Sequence, residues 1–251
     1  MSFLKIKDIN KFELDSIERT IAHGNVIQNK KFLKSIYTEW YKKTKILACY
    51  DSTGKFLELG SGSGFIKEEM PNVITSDVFC IPRVDRVIFA NSLPFNNNSI
   101  DSIIMVDVLH HLYDVRSFFL EADRSLKHGG RIVMSEPWNS IWSKFIYRNF
   151  HHEPFETHSN WEVNDVRPLS SANGALPWII FERDKLIFES EFPNLSIEKI
   201  EFHTPFRYLL SGGVSIKQMV PNFSFSFFSK IDNICASKLF SMFAYIVIRK
   251  K

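Results

Sequence analysis

The segment LELGSGSGF at residues 57–65 constrains the fold more than any other part of the chain. A short apolar run contains an acid, Glu58, and is followed by Gly60, Gly62 and Gly64 at alternate positions. Glycines at this spacing let the backbone turn sharply and approach a ligand closely. In an open parallel sheet, ligands bind at such turns, outside the carboxyl ends of the strands. The segment therefore predicts a strand that enters a nucleotide-binding turn.

The spacing of these glycines distinguishes the turn from two other nucleotide-binding turns. The dinucleotide fingerprint is G-x-G-x-x-G, and a P-loop needs GK[ST] after its glycines, which this chain lacks. The Glu58 carboxylate would repel phosphates and would suit an ammonium or sulfonium cation. The turn therefore favours a cationic nucleoside, with an NAD-linked oxidoreductase as a less favoured alternative.

Apolar patterning along the rest of the chain predicts alternating strands and helices. We expect strands at residues 55–60, 72–77, 83–90, 102–108, 131–137, 195–202 and 243–250, and helices starting at residue 65 and spanning 115–127 and 177–192. Residues 12–50 predict one or two amphipathic helices, whereas 205–228 is irregular apart from its aromatic residues. Strand and helix in alternation indicate a Rossmann-like, doubly wound α/β sheet with right-handed crossovers.

Composition and charge narrow the functional classes. The net charge is only +3 and the lysines are dispersed, so no nucleic-acid partner is expected. Cys49, Cys80 and Cys235 are odd in number and contain no CxxC pair, which predicts reduced, buried thiols in a cytoplasmic protein and no zinc site. The first residues show no signal-peptide pattern, and no uncharged apolar run approaches the roughly 20 residues that span a bilayer.

Four further sequence elements follow the glycine turn in order between residues 55 and 137. Asp77 ends the second predicted strand. The strand near residue 104 is preceded by SLPFNNNSID and runs into VDVLHHLYD, and the next strand is entered through LKHGGRIVMSEP. Together with LELGSGSG, these elements resemble the motifs of class I S-adenosylmethionine-dependent methyltransferases. The flanking segments KKFLKSIYTEWY, FHHEPF, GALPWIIFERD and PFRYLLSGGVS resemble a bacterial, methyltransferase type 11-like subfamily.

This resemblance implies a fold, a cofactor and a reaction. The fold would be a seven-stranded sheet whose last strand is antiparallel, within a single domain spanning residues 1–251. That domain would comprise a helical extension at 1–50, a cofactor-binding core at 55–137, and substrate-side insertions at 138–175 and 205–235. The implied cofactor is S-adenosyl-L-methionine, and the implied reaction is methyl transfer to oxygen or nitrogen of a small, sugar or lipid-linked acceptor.

The resemblance also assigns cofactor-binding residues. They are Glu58, Gly60, Ser61, Gly62, Gly64, Asp77, Val78, Phe89, Ala90, Asn91 and Asp107. Glu58 and the glycine turn would hold the methionine end, and Asp77 would accept hydrogen bonds from both ribose hydroxyls. Phe89 stands where related sequences usually carry an aspartate near the adenine, so either stacking by Phe89 or a hydrogen bond from Asn91 would replace that contact. Asp107 would either contact the methionine portion or orient a loop.

Candidate catalytic and substrate residues lie after the strand at 102–108 and in the first insertion. Histidine titrates near neutral pH, so either His110 or His111 could accept the acceptor's proton, the alternative being polar residues packed under a lid. The substrate candidates are His151, His152, Glu153, Trp178 and Tyr208. No metal is predicted, because adjacent histidines on a helix do not readily face one ion.

Two alternatives remain open at the level of sequence. The departure at Phe89 is compatible with a non-catalytic partner protein that only binds S-adenosylmethionine. The stretch FSFSFFSK at residues 223–230 suits either peripheral membrane docking or core packing, and core packing is favoured. The oligomeric state stays open.

Overall fold

A computed structural model describes residues 6, 11–62, 64–150, 153–162, 167 and 170–251 of the 251-residue chain. Its centre is one seven-stranded sheet with helices packed around it. None of the helices in this described part combines the length and the apolar character needed to cross a bilayer.

The sheet has the strand order β3-β2-β1-β4-β5-β7-β6. The strands are β1 (Phe56–Leu59), β2 (Ile74–Asp77), β3 (Arg86–Val87), β4 (Ile100–Val106), β5 (Leu126–Pro137), β6 (Leu195–His203) and β7 (Phe243–Lys250). Strands β1 to β5 pair in parallel, whereas β7 is antiparallel to both β5 and β6. The expected doubly wound sheet with an antiparallel last strand is confirmed.

The strand order reverses between β1 and β4, and this point positions the site. All four β1 residues are buried, and Leu57 pairs with Ile103 of β4 in the middle of the sheet. Strands buried on both faces read as continuous apolar runs, which is why the sequence pattern identified them. In open α/β sheets the crevice outside the carboxyl ends of strands at such a reversal binds ligands.

Two N-terminal helices cover part of this carboxyl edge. They are α1 (Ile17–Asn29), whose N-cap Ser16 accepts a hydrogen bond from the Arg19 amide, and α2 (Lys31–Leu47). One face of α2, including Phe32, Ile36 and Trp40, is buried in the core. The amphipathic helices expected within residues 12–50 are therefore present.

The remaining helices lie between and after the later strands. They are α3 (Val115–Ser125), α4 (Ile141–Phe150), α5 (Leu176–Trp178), α6 (Lys185–Glu191), α7 (Arg207–Ser211) and α8 (Phe225–Cys235), with a π-helical turn at Ile179–Arg183 joining α5 to α6. The helix expected at 177–192 is thus built from three short pieces. The first insertion contains α4 and the second contains α7 and α8.

The prediction of a helix that starts at residue 65 is wrong. Only a 3₁₀ turn forms there, at Ile66–Glu68. Pro71 follows closely, and a proline disfavours helical backbone at the residue before it. The connection from β1 to β2 is therefore short, which leaves this side of the glycine turn to be covered by α1 and α2.

The expected burial of the cysteines is wrong, and the core packing favoured for residues 223–230 is only partly right. Cys49 and Cys80 are exposed and Cys235 is half-buried, although all three are free thiols as expected. Phe223 and Phe227 are not packed in the core, since 89% and 62% of their surfaces are exposed. The aromatic stretch 223–230 therefore presents part of its apolar surface outward.

Candidate active site

The glycine turn after β1 adopts backbone conformations that require glycine. Gly60 has φ of +64° and Gly62 has φ of +52°, both in the left-handed region. A Cβ atom on Gly60 would lie 2.6 Å from Val108 Cγ2, and one on Gly64 would lie 2.6 Å from the Tyr41 hydroxyl. Any side chain at Gly60 or Gly64 would thus clash with the β4 loop or with α2.

Polar contacts tie this turn to the end of β2. The Ser61 amide donates to the Ser76 carbonyl at 2.8 Å, and the Ser76 hydroxyl donates to the Glu58 carbonyl at 2.7 Å. Asp77 accepts from the Gly62 amide at 2.8 Å and from the Phe79 amide at 3.0 Å. The carboxylate of Asp77 is therefore held at the mouth of the turn by two backbone donors.

Glu58 presents a buried carboxyl beneath the same turn. Its side chain is 2% exposed, and Oε2 has no hydrogen-bond partner in the described structure. Burial raises the pKa of Glu58 to about 8; Ser61 opposes this shift and the charge of Asp77 adds to it. An isolated buried carboxyl is costly, so its persistence here suits a cationic ligand group placed against it.

A cavity of about 480 Å³ lies in front of these groups. Its wall includes Glu58, Gly60, Ser61, Gly62, Gly64, Asp77, Val78, Phe89, Ala90, Asn91, Asp107, His111, Glu153 and Tyr208. Its size falls within the usual range of roughly 300–1,000 Å³ for small-molecule sites. The structure thus brings every residue assigned to cofactor binding into one cavity.

Two substrate candidates, His151 and His152, lie outside the described residues. One further substrate candidate and one catalytic candidate do not line the cavity. Trp178 is half-buried on α5 against the core and does not line the cavity. His110 lies behind the cavity wall with 1% of its surface exposed, whereas its neighbour His111 lines the cavity.

Around residues 89–91, the cavity has an open aromatic edge. Phe89 lines the cavity while 55% of its surface stays exposed, so its ring is accessible for stacking. The Asn91 side-chain amide donates to the Tyr113 hydroxyl at 2.6 Å. This bond uses one amide hydrogen of Asn91 and leaves its Oδ1 as an acceptor, so Phe89 and Asn91 both stay candidates for the adenine contact.

Two histidines and three carboxylates form a cluster at the far side of the cavity. Asp107, directly after β4, has φ of +64°, and a 3₁₀ turn at Leu109–His111 follows. His110 Nδ1 lies 2.8 Å from Glu136 Oε2, and His110 Nε2 lies 3.6 Å from Glu153 and 4.0 Å from Asp107. His110 therefore sits between carboxylates from three separate chain segments.

The charged groups in this cluster shift one another's pKa values. Burial alone would lower the pKa of His110, but Glu136, Glu153 and Asp107 outweigh it and raise that pKa well above 6.5. Burial and the charge of His110 together lower the pKa of His111 to about 4, although Glu153 and Glu136 oppose the shift. His110 is thus the cation of the cluster and His111 a neutral imidazole facing the cavity.

Glu136 belongs to the candidate site but was not singled out by the sequence analysis. Its Oε1 accepts from the Val108 and Leu109 amides, each at 2.8 Å, while Oε2 faces His110. One fully buried carboxylate thus fixes both the loop after β4 and the orientation of the His110 ring. The available signal was an acid near the end of a buried strand, in SEP, at the same sheet edge as Asp107.

The spacing within this cluster would also suit a metal ion. Ligand atoms of His110, His111 and Glu153 all lie within 4.8 Å of one another, as do those of Asp107, His110 and Glu136. The two rings are adjacent in sequence yet stand side by side, with centroids 4.2 Å apart, because the 3₁₀ turn directs both the same way. The expectation that no metal binds stays a prediction.

Comparison with known proteins agrees with this geometry. Residues 57–134 match the sequence model of a family described as a methyltransferase domain. The uncharacterized protein YafE of Escherichia coli K12 is 34% identical over 64 residues, which are 23% of this chain. That match spans 31% of the length of YafE.

Solved structures extend the likeness to nearly the whole chain. The geranyl diphosphate C-methyltransferase of Streptomyces coelicolor, solved with Mg²⁺, geranyl diphosphate and S-adenosyl-L-homocysteine, superposes with a TM-score of 0.53 at 14% identity, covering 91% of this chain and 84% of that one. A SAM-dependent methyltransferase of Thermotoga maritima superposes with a TM-score of 0.50 at 16% identity, covering 90% of this chain and 99% of that one. At these identities the likeness establishes the fold.

Proposed function

We propose that the whole protein is a class I, S-adenosylmethionine-dependent methyltransferase, from the premise that residues 57–134 match the sequence model of a methyltransferase domain. It would use S-adenosyl-L-methionine to methylate an oxygen or nitrogen of a small, sugar or lipid-linked acceptor. The chain would act as one domain over residues 1–251, with the insertions at 138–175 and 205–235 forming the acceptor side of the cavity.

The observation that carries this proposal is the convergence of Glu58, the glycine turn and Asp77 on one cavity. The unpartnered Oε2 of Glu58 and the glycines that line the cavity beside it fit a ligand with a cationic amino-acid end. Glu58 would hold that end, Asp77 the ribose hydroxyls, and Phe89 or Asn91 the adenine. When bound, the cofactor supplies a methyl group already activated for displacement.

The chain then has to align a nucleophile and remove its proton. His111 and Glu153 line the cavity beyond the glycine turn, and His111 Nε2 lies 4.0 Å from Glu153. His111 is a neutral imidazole there, so it can accept a proton from an acceptor hydroxyl or amine. His110, held by Glu136, acts behind them as a positioning residue whose charge orients the Glu153 and Asp107 carboxylates.

The direct test is to incubate the protein with isotopically labelled S-adenosylmethionine and an extract of its source cells. We expect one labelled product, detected by mass spectrometry, that is absent with the Asp77→Ala variant. Tight binding of S-adenosyl-L-homocysteine without any labelled product in any fraction would favour the non-catalytic partner protein instead. Preference for NAD over S-adenosyl-L-homocysteine in calorimetry would favour an oxidoreductase and overturn the proposal.

The two histidines should respond differently to substitution. His111→Asn should lower turnover about a hundredfold, the lower end of the usual contribution of a general base. His110→Asn should instead move the acidic limb of the pH–rate profile to higher pH. The His110 charge lowers the pKa values of Asp107 and His111, so without it both groups stay protonated to higher pH.

This pair of variants is measured with the acceptor fraction identified by the labelling experiment. Affinity for S-adenosyl-L-homocysteine serves as the control and should change no more than a few-fold in either variant. If His110→Asn and His111→Asn both keep full turnover and the native pH profile, the proton-accepting role of the pair is wrong.

A further inference from the structure

The outer side of α8 carries large apolar side chains that nothing in the described structure covers. Phe227, Lys230 and Ile234 of α8 recur at spacings of three and four residues, which places them on one helical face, and Phe223 lies in the 3₁₀ turn Asn222–Ser224 that leads into the helix. The exposed fractions of Phe223, Phe227 and Ile234 are 89%, 62% and 84%. This face is the one directed to solvent.

The opposite face of α8 already accounts for its packing in the fold. Asp232 is 1% exposed and accepts from the Arg207 guanidinium at 2.7 Å, while Phe225 packs edge-on against Phe32 at 5.1 Å. The helix therefore packs into the fold through this inner face and carries a second set of large apolar side chains outside. A contiguous exposed apolar patch of this kind typically marks an interaction surface.

Neighbouring segments extend this outer surface. The Trp142 amide of α4 donates to the Leu239 carbonyl at 3.3 Å, and the Trp142 ring packs against Phe206, whose amide donates to Asp232 of α8. We call the combined surface the α8 face. Its exposed apolar members are Ile141, Phe223, Phe227, Ile234, Leu239 and Phe240.

The segments that form the α8 face carry mainly basic residues. Residues 141–150 and 219–241 contain four basic residues, Lys144, Arg148, Lys230 and Lys238, and their single acid is the buried Asp232. Lys238 is paired with Glu182 at 2.5 Å, whereas Lys230 and Arg148 are exposed. Exposed phenylalanines flanked by cations are typical of helices that lie in the interface of an anionic membrane.

We propose that the α8 face docks the protein onto the surface of a membrane containing anionic lipids. The phenylalanine and isoleucine side chains enter the boundary between headgroups and acyl chains, and the basic residues contact lipid phosphates. A second copy of the chain fits this face less well. A symmetric interface would set the same lysines and arginine of both copies against each other, which like charges oppose.

The α8 face and the cavity are two sides of one wall. Helix α4 exposes Ile141 but places Ile146 and Tyr147 in the cavity, and α7 binds α8 through Arg207 while Tyr208 lines the cavity. Docking would therefore hold the cavity wall against the bilayer. If the proposed methyl transfer is correct, this arrangement favours the lipid-linked class of acceptor, whereas docking itself does not depend on that function.

The test is sedimentation of the full chain with phosphatidylcholine vesicles, with and without phosphatidylglycerol. We expect partitioning onto the anionic vesicles that weakens with added salt. The Phe223→Ser/Phe227→Ser variant should lose at least about tenfold in partition coefficient, because it lacks the two phenyl rings whose transfer from water into the membrane interface favours binding. Lys230→Gln should lose about fivefold on anionic vesicles only.

The matched control is Leu186→Ser/Ile187→Ser on α6, where 80% and 47% of the two side chains are exposed. It should partition like the native protein. Failure of the native chain to partition, or equal losses in the control, overturns the proposal. So does a native dimer in analytical ultracentrifugation that Phe227→Ser dissociates. Affinity for S-adenosyl-L-homocysteine should be unchanged in every variant, so a failure here is separable from a failure of the methyltransferase function.

Discussion

Replacing Asp77 with alanine is expected to weaken binding of S-adenosyl-L-homocysteine about a hundredfold. The Gly62 and Phe79 amides each donate one hydrogen bond to the carboxylate, at 2.8 and 3.0 Å, which leaves acceptor sites for two ribose hydroxyls. Hydrogen bonds to a charged group contribute about 1.5–3 kcal/mol each, so losing two at the lower end of this range already accounts for a factor of this size. Loosening of the glycine turn at Gly62 adds to the loss.

Titration calorimetry with S-adenosyl-L-homocysteine measures this effect directly. Asp85→Ala is the matched control, because Asp85 also accepts a β2 backbone hydrogen bond, from Thr75 at 2.9 Å, but does not line the cavity. Its affinity should stay within a few-fold of the native value. Native affinity in Asp77→Ala, with a folded variant confirmed by its melting curve, would remove Asp77 from the ribose site.

Short-range patterns were sufficient to predict the sheet and the cofactor side of the cavity. β1 and β4 are buried on both faces and carry near-continuous apolar runs, so their positions follow from composition alone. Glu58, Gly60 and Asp77 lie close to the strand ends that position them, within a stretch of 20 residues. If the strands pair in parallel, these three residues must lie at the same edge of the sheet, so their proximity can be predicted without knowing any long-range contact.

The acceptor side depends on contacts between remote segments and was not predictable in the same way. His110 meets Glu136 from β5 and Glu153 from the first insertion, and no local pattern specifies either pairing. Likewise, α2 places Tyr37 and Tyr41 in the cavity wall, although apolar spacing predicts only that they are buried. For residues 223–230 the sequence favoured core packing over membrane docking, because apolar residues are usually buried.

The second prediction concerns Glu58→Gln, which should raise the stability of the ligand-free protein above neutral pH. An unfolded glutamate titrates at roughly pH 4.3, whereas the pKa of Glu58 in the fold is about 8. Between these values the folded protein holds a proton that the unfolded chain has released, so the native free energy of unfolding falls as pH rises. Above about pH 8 this loss is complete. A glutamine side chain at this position cannot ionise and avoids it.

We therefore expect similar melting temperatures for the two proteins near pH 5, and a variant more stable by a few kcal/mol at about pH 8.5. For a chain of this length that difference corresponds to an increase in melting temperature on the order of 5 °C. The same substitution should weaken S-adenosyl-L-homocysteine binding at least about tenfold, because a neutral amide replaces the carboxylate facing the ligand's ammonium group.

These two effects of Glu58→Gln have opposite signs, which separates a binding role from a structural one. If Glu58 mainly stabilised the fold, the substitution would lower both the melting temperature and the affinity; if it did neither, both would stay at native values. The shift in melting temperature on adding S-adenosyl-L-homocysteine reports both quantities in one titration, since ligand stabilisation grows with concentration over Kd. A carboxyl group that lowers the stability of the ligand-free protein but raises its affinity for a cationic ligand is expected where binding, not stability, determines the residue.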